Sequence, residues 1–193
     1  PIGSIVAGAG LIGLTISLAA QETASNIFSG IVILIDKPFA VGDWILVGDV
    51  EGEVIDINFR SIKIRSLDKT VSVITNSKVC SSTIVNCAMR STRPYKFTLG
   101  VTYNTSRAKL EQLMADLTAM LEASPYVEKG SALVRLTSFG DSSINLLVSA
   151  YLLTNQAGTF LQMQNDLNLN VMDVMQKNNV DFAFPSTTVY LSK

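Results

Sequence analysis

The first 21 residues carry no charge, and their hydrophobic positions are interrupted throughout by small ones. At about 1.5 Å per residue, some 20 helical residues cover the ~30 Å hydrocarbon core of a bilayer. The pattern predicts a membrane-spanning helix of unusual texture. Gly3, Ser4, Ala7, Gly8, Ala9, Gly10, Gly13, Thr15, Ser17, Ala19 and Ala20 stand among the leucines and isoleucines. Glycine lowers helix propensity, so this density needs a packing reason; in membranes that reason is close approach between helices. Ala9, Gly13 and Ser17 recur at i, i+4 and i+8 as one small face, while Leu11, Leu14 and Leu18 lie on a different stripe. Such a division suits a helix packed between copies of itself around an axis. The stretch continues as Thr23–Ile35, still largely apolar, and is read as a second segment that bends away or lies along the interface.

The pattern then changes. Pro38 and Gly42-Asp43 are turn chemistry, followed by β-rich Trp44, Ile45 and Val47. Short alternating runs at 52–57, 61–65 and 71–74 predict a small barrel. After Arg93-Pro94 the segment Tyr95–Tyr103 reads as a strand. Asn104, Thr105 and Ser106 offer caps, and Leu110, Leu113, Met114, Leu117, Met120 and Leu121 keep helical spacing. Leu133–Phe139 and Ile144–Leu153 form a predicted strand pair. A second helix turns Phe160, Met163, Leu167, Val171 and Val174 inward, and a β-prone tail follows. The order β-α-β-β-α-β is that of a ferredoxin-like α/β domain. The predicted class is an α+β membrane protein divided at 1–36, 37–93, 94–182 and 183–193: helix, β domain, α/β domain and C-terminal strand.

Composition changes this picture in few places. Of 193 residues only 16% are charged, against about 25% in ordinary soluble domains, and mean hydropathy is positive, so part of the chain is expected to meet lipid or an assembly. The net charge of -1 gives no argument for a nucleic-acid partner. The absence of His removes the commonest general base and metal ligand. Cys80 and Cys87 lack zinc or redox spacing and read as buried reduced thiols. Asp141-Ser142-Ser143, with no His to serve it, is a turn rather than a hydrolytic site. No enzyme, cofactor or metal is expected. The chain opens at Pro1 rather than Met, and the reading expects a longer protein around it.

The motifs resemble the small-conductance mechanosensitive channel (MscS) family. "GLTISLAAQETASN" resembles its pore-lining helix. "DKPFAVGDWI" is similar to the lead into its β domain, and "GEVIDINFRSIKIRSLDKTVSVITNSKV" to the strands that follow. "LVRLTSFGDSSINLLV" and "VDFAFPSTTVYL" resemble segments of its α/β domain. The match runs through the whole chain in order, without counterparts for the family's first two transmembrane helices. The resemblance implies a channel opened by membrane tension that releases ions and small osmolytes in hypo-osmotic shock. It implies a homoheptamer in the cell inner membrane, multi-pass, with cytoplasmic C-terminal domains, lipids and permeating ions as partners, and no nucleic acid. Carried over residue by residue, Leu14 and Leu18 fall on the constricting leucines, and Gly10, Gly13, Ser17 and Ala19 on the helix-packing positions. Gln21 and Glu22 form the pore mouth, and Gly30 supplies a hinge. Three departures are visible: Glu22 stands where the family bends at a glycine, Ala20 where it has a leucine, and Thr75 where it has proline. Arg60, Lys63, Arg65, Lys69 and Lys78 are read either as a vestibule wall or as ordinary solvated surface. The alternative function is a ring-forming Sm-like module that binds nucleic acid. Only Trp44 and Phe59 would serve it for stacking, and it leaves residues 1–36 without a purpose.

Overall fold

The computed structural model describes residues 2–185, and the chain divides into two units, Pro1–Met89 and Arg90–Lys193. The first unit begins with α1, Ile2–Asp36, a helix without interruption. The two segments read from the sequence are therefore one element, and neither Glu22 nor Gly30 breaks it. Five short strands follow: β1 (Trp44–Val47), β2 (Val50–Ile57), β3 (Ser61–Arg65), β4 (Val71–Thr75) and β5 (Ile84–Asn86). The short helix α2, Asn76–Ser81, stands before β5. They form one antiparallel sheet in the order β4-β3-β2-β1-β5. Alternation along the strands sends Ile45, Val47, Val54, Ile62, Ile64 and Ile74 to one side. There they form a core with Val79 of α2, Phe39 of the connecting segment and Ile33 of α1. Burying each such side chain contributes about 1.5–3 kcal/mol.

Two local devices fix this sheet. A Cβ on Gly52 would stand 2.3 Å from the Arg65 carbonyl oxygen, so only glycine lets β2 approach β3 there. The Asp43 carboxylate accepts from the Ala40 N–H at 2.9 Å and from Asn86 Nδ2 at 2.9 Å, which ties the segment leading into β1 to the edge strand β5.

The second unit runs β6 (Arg93–Val101), α3 (Arg107–Ala123), β7 (Leu133–Phe139), β8 (Ile144–Leu152) and α4 (Ala157–Lys177). Its antiparallel sheet has the order β6-β8-β7. Leu110, Leu113, Leu117 and Leu121 of α3 and Leu167, Val171 and Met175 of α4 are buried with the inward residues of β6 and β8. Met114, Met120, Phe160, Met163 and Val174 pack at the margin of that core. Ser106 caps α3, its Oγ accepting from Lys109 N at 3.5 Å. The expected sixth strand is reduced, among the described residues, to a bridge between Val101 and Phe182 and a bond from Ala183 N to Gly100 O. The remainder of the expected C-terminal strand, residues 186–193, lies outside the described residues.

Candidate pore helix and its seat on the β sheet

The helix α1 has two halves with different surroundings. From Ala9 to Ser25 every residue is exposed. Leu14 is 58% and Leu18 63% accessible, and Leu11, Ile12 and Ile16 are no better covered. An apolar helix bare on all sides is a surface that water does not stabilise, and it calls for lipid or other helices. The stretch Gly8–Asp36 is long and apolar enough to cross a membrane. The glycines here have no cause among the described residues: a Cβ at Gly8, Gly10 or Gly13 would meet nothing within 4 Å. Ser17 and Ala19 are likewise exposed, as are Gln21 and Glu22. The four-residue spacing puts Leu14, Leu18 and Glu22 one above another along the helix.

The second half is seated. Asn26, 2% accessible, turns its side chain onto α2. Its Oδ1 accepts from Ser77 N at 3.0 Å, while its Nδ2 donates to the Glu22 carbonyl at 3.0 Å. Thr75 precedes α2 without a side-chain cap, so the cap comes from α1 instead. One turn later Gly30 is buried; a Cβ there would lie 2.6 Å from both Asn76 Nδ2 and the Phe59 carbonyl oxygen. The role of Gly30 in this conformation is close approach. One further turn on, Ile33 enters the sheet's core.

Asn76 organises this seat. Fully buried, it donates from Nδ2 to the carbonyls of Asn58 and Phe59, both at 2.9 Å, and from its backbone N to that of Arg60 at 2.9 Å. Three successive carbonyls of the β2–β3 turn thus close on one residue. Its Oδ1 is buried without a partner among the described residues. The turn is braced from the other side by Asp56, whose Oδ2 accepts from Lys63 Nζ at 2.9 Å and from Asn58 Nδ2 at 2.7 Å. The Lys63 bond, then the Asn58 bond, holds that carboxyl below the usual carboxylate range. In the sequence alone, Asn26, Asn76 and Ser77 have no assigned site role. The available signal was an Asn inside the apolar stretch 23–35, where a polar side chain needs a partner.

Two family models match the chain: the mechanosensitive ion channel β-domain over residues 22–89, and the C-terminal domain of the mechanosensitive ion channel MscS over residues 95–182. The chain belongs to the MscS family of mechanosensitive ion channels. It is 41% identical over its whole length to an uncharacterized MscS family protein of Aquifex aeolicus, covering 52% of that protein. It is 36% identical, again over its whole length, to the small-conductance mechanosensitive channel MscMJ of Methanocaldococcus jannaschii, covering 55% of it. The chain thus spans about half the length of these curated relatives. Among solved structures, MSL1 of Arabidopsis thaliana shares the fold with a TM-score of 0.85 at 22% identity, over 96% of this chain and 67% of that one. The family is one of membrane channels rather than enzymes, and the nucleic-acid alternative finds no favour in these relatives.

Proposed function

We propose that this chain forms the pore helix and the water-facing domains of a tension-opened ion channel that discharges ions and small osmolytes in hypo-osmotic shock. The observation that carries the reading is the first half of α1: bare apolar residues on every face, with glycines that nothing among the described residues requires. Copies of the helix around an axis, seven by the family resemblance, supply both missing neighbours. Gly10, Gly13, Ser17 and Ala19 let adjacent helices approach. Leu14 and Leu18 face the axis and narrow it to a space that water occupies poorly, which blocks ions by dewetting. Tension favours the state of larger in-plane area and shifts the closed–open equilibrium. The protein is then a multi-pass protein of the inner membrane, with its sheet-bearing domains in the cytoplasm. Those domains are an Sm-like barrel and a ferredoxin-like α/β domain, with a C-terminal strand completing an oligomeric barrel. Asn26, Gly30 and Ile33 join the moving helix to the β sheet, so displacement of one is felt by the other.

Single-channel recording of the full protein in liposomes under graded suction tests this. Leu18→Ser puts a hydroxyl on the constriction and is expected to open the pore at lower suction than wild type. Unchanged threshold and conductance would remove Leu18 from the gate, and silence of the wild type at all pressures would end the reading.

A further inference from the structure

The outward face of the β1–β5 sheet carries the one tryptophan of the sequence, Trp44. β1 sends Ile45 and Val47 into the core, so Trp44 stands on the opposite side of the sheet. There it lies across from Glu53 and diagonally to Glu51 of β2. Its Nε1 donates to Glu51 Oε1 at 2.8 Å. The indole N–H lies in the ring plane, so this bond fixes the ring and covers neither π face. The β3–β4 turn is tied to the same place. Ser66 Oγ donates to the Glu51 carbonyl at 3.0 Å, and Ser66 N to the Thr70 carbonyl at 2.9 Å. Trp44, Glu51, Ser66, Leu67 and Asp68 line a cavity of about 340 Å³, a size that admits a small ligand. Asp68 accepts from Thr70 Oγ1 at 2.7 Å and from Thr70 N at 3.1 Å, and these bonds hold its carboxyl below the ordinary value of 3.8.

Two carboxylates thus meet an aromatic ring and a leucine. Arg65 and Lys69 flank the turn outside the lining, and neither Glu51 nor Asp68 makes an ion pair among the described residues. We propose that this cavity binds an organic cation of the quaternary-ammonium class, its methyl groups against the indole and Leu67 and its charge answered by Glu51 and Asp68. The tryptophan face is the best of the aromatic faces for a cation, and a quaternary ammonium is the cation that gains most from it. A small inorganic cation keeps water around it and gains nothing from Leu67. Among the described residues no three His, Cys, Asp or Glu side chains group to hold a metal ion. A primary ammonium or a guanidinium brings three to five N–H donors that need acceptors. Here one oxygen of each carboxylate is already taken, by Trp44 and by Thr70. A quaternary ammonium has no N–H to satisfy, so charge and apolar contact are all it asks. The inference concerns the β sheet alone and does not depend on α1 lining a pore.

The test uses the full oligomeric protein in an uncharged detergent, titrated with tetramethylammonium chloride against sodium chloride at constant ionic strength. The Trp44 emission is read as the part of the indole signal that Trp44→Phe removes. The expected result is a saturable change in that emission with tetramethylammonium, and none with tert-butanol, a neutral molecule of similar size. Binding is measured a second time, without the indole signal, by equilibrium dialysis of radiolabelled tetramethylammonium. Glu51→Gln keeps the carbonyl oxygen that accepts from Trp44, and Asp68→Asn keeps the one that accepts from Thr70, so both variants preserve the cavity while removing its charge. Each is expected to weaken binding several-fold, and the two together to abolish it. Trp44→Phe is expected to bind more weakly than wild type, and Trp44→Leu not at all. An emission that tetramethylammonium leaves unchanged overturns the proposal, as does an equal response to tert-butanol. Dialysis showing the same binding in the doubly neutralised variant or in Trp44→Leu overturns it as well. A channel that opens under suction without binding tetramethylammonium keeps its pore and loses this site.

Discussion

Two glycines of α1 look alike in the sequence and differ in cause. At Gly30 an added Cβ collides at 2.6 Å with the Phe59 carbonyl and the Asn76 amide, both fixed by hydrogen bonds, so neither can yield cheaply. At Gly13 the same methyl meets nothing within 4 Å among the described residues. Gly30→Ala is therefore expected to destabilise the seat by about 1–3 kcal/mol, the usual cost of forcing a methyl into a filled site. Gly13→Ala is expected to leave the thermal unfolding of the seat unharmed, or to raise it slightly, since alanine favours helix by about 1 kcal/mol. Its effect belongs instead to the approach of neighbouring helices and is read as an altered opening threshold. Melting curves of the detergent-solubilised protein check the contrast. Equal losses in both variants would show that Gly30 is not specially seated. Asn76 belongs to the same argument: Asn76→Ala removes a fully buried side chain and the donor of the Asn58 and Phe59 carbonyls, and should cost about 1–3 kcal/mol.

At the scale of the element, the β2–β3 turn has a pH dependence of definite sign. Asp56 is held below its ordinary value of 3.8 by its bonds from Lys63 and Asn58. A carboxyl depressed on folding adds stability that is fully present above the ordinary value and is lost as pH falls through the lower, folded one. The melting temperature of wild type is therefore expected to drop more steeply below pH 3.8 than that of Asp56→Asn, with the two parallel above pH 5. Parallel curves throughout would take Asp56 out of the turn's support. This turn also shows what was legible beforehand. Period-two alternation located β2, β3 and β4 to within a residue or two, because one face of each strand is buried. It missed α2 and β5, which span six and three residues and are too short to display a period. From the sequence, the segment Thr23–Ile35 is expected to bend away or lie along the interface, and Ser25, Asn26, Ser29 and Gly30 are the small and polar residues within it. In the structure Asn26 and Gly30 are seated on α2 and the turn, and helical geometry carries through them. A single sequence does not distinguish a polar residue that breaks a helix from one that docks it.

For the whole molecule, the sequence located the apolar helix and the sheets that follow it, but a gate is a property of several chains. No contact within one chain marks Leu14 or Leu18; their exposure and their spacing are all that one copy carries. Glu22 has the same character. It lies one turn beyond Leu18, exposed, at the point where the charge-free run ends. In the proposed ring of copies its carboxylates would stand together at the pore mouth, and a ring of negative charge raises the local concentration of cations over anions. The full channel is therefore expected to show a mild cation preference in a salt gradient, seen as a reversal potential displaced toward that of the cation. Glu22→Gln is expected to move the reversal potential toward zero and to change the suction threshold little, because the leucines above are untouched. The displacement should shrink as salt rises, since exposed charges are screened within about 10 Å at 0.1 M. A reversal potential identical in wild type and variant at low salt would place the carboxylates away from the permeation path. A large change in threshold without a change in selectivity would mean that Glu22 acts on the helix, through its carbonyl bond to Asn26, rather than on the ions.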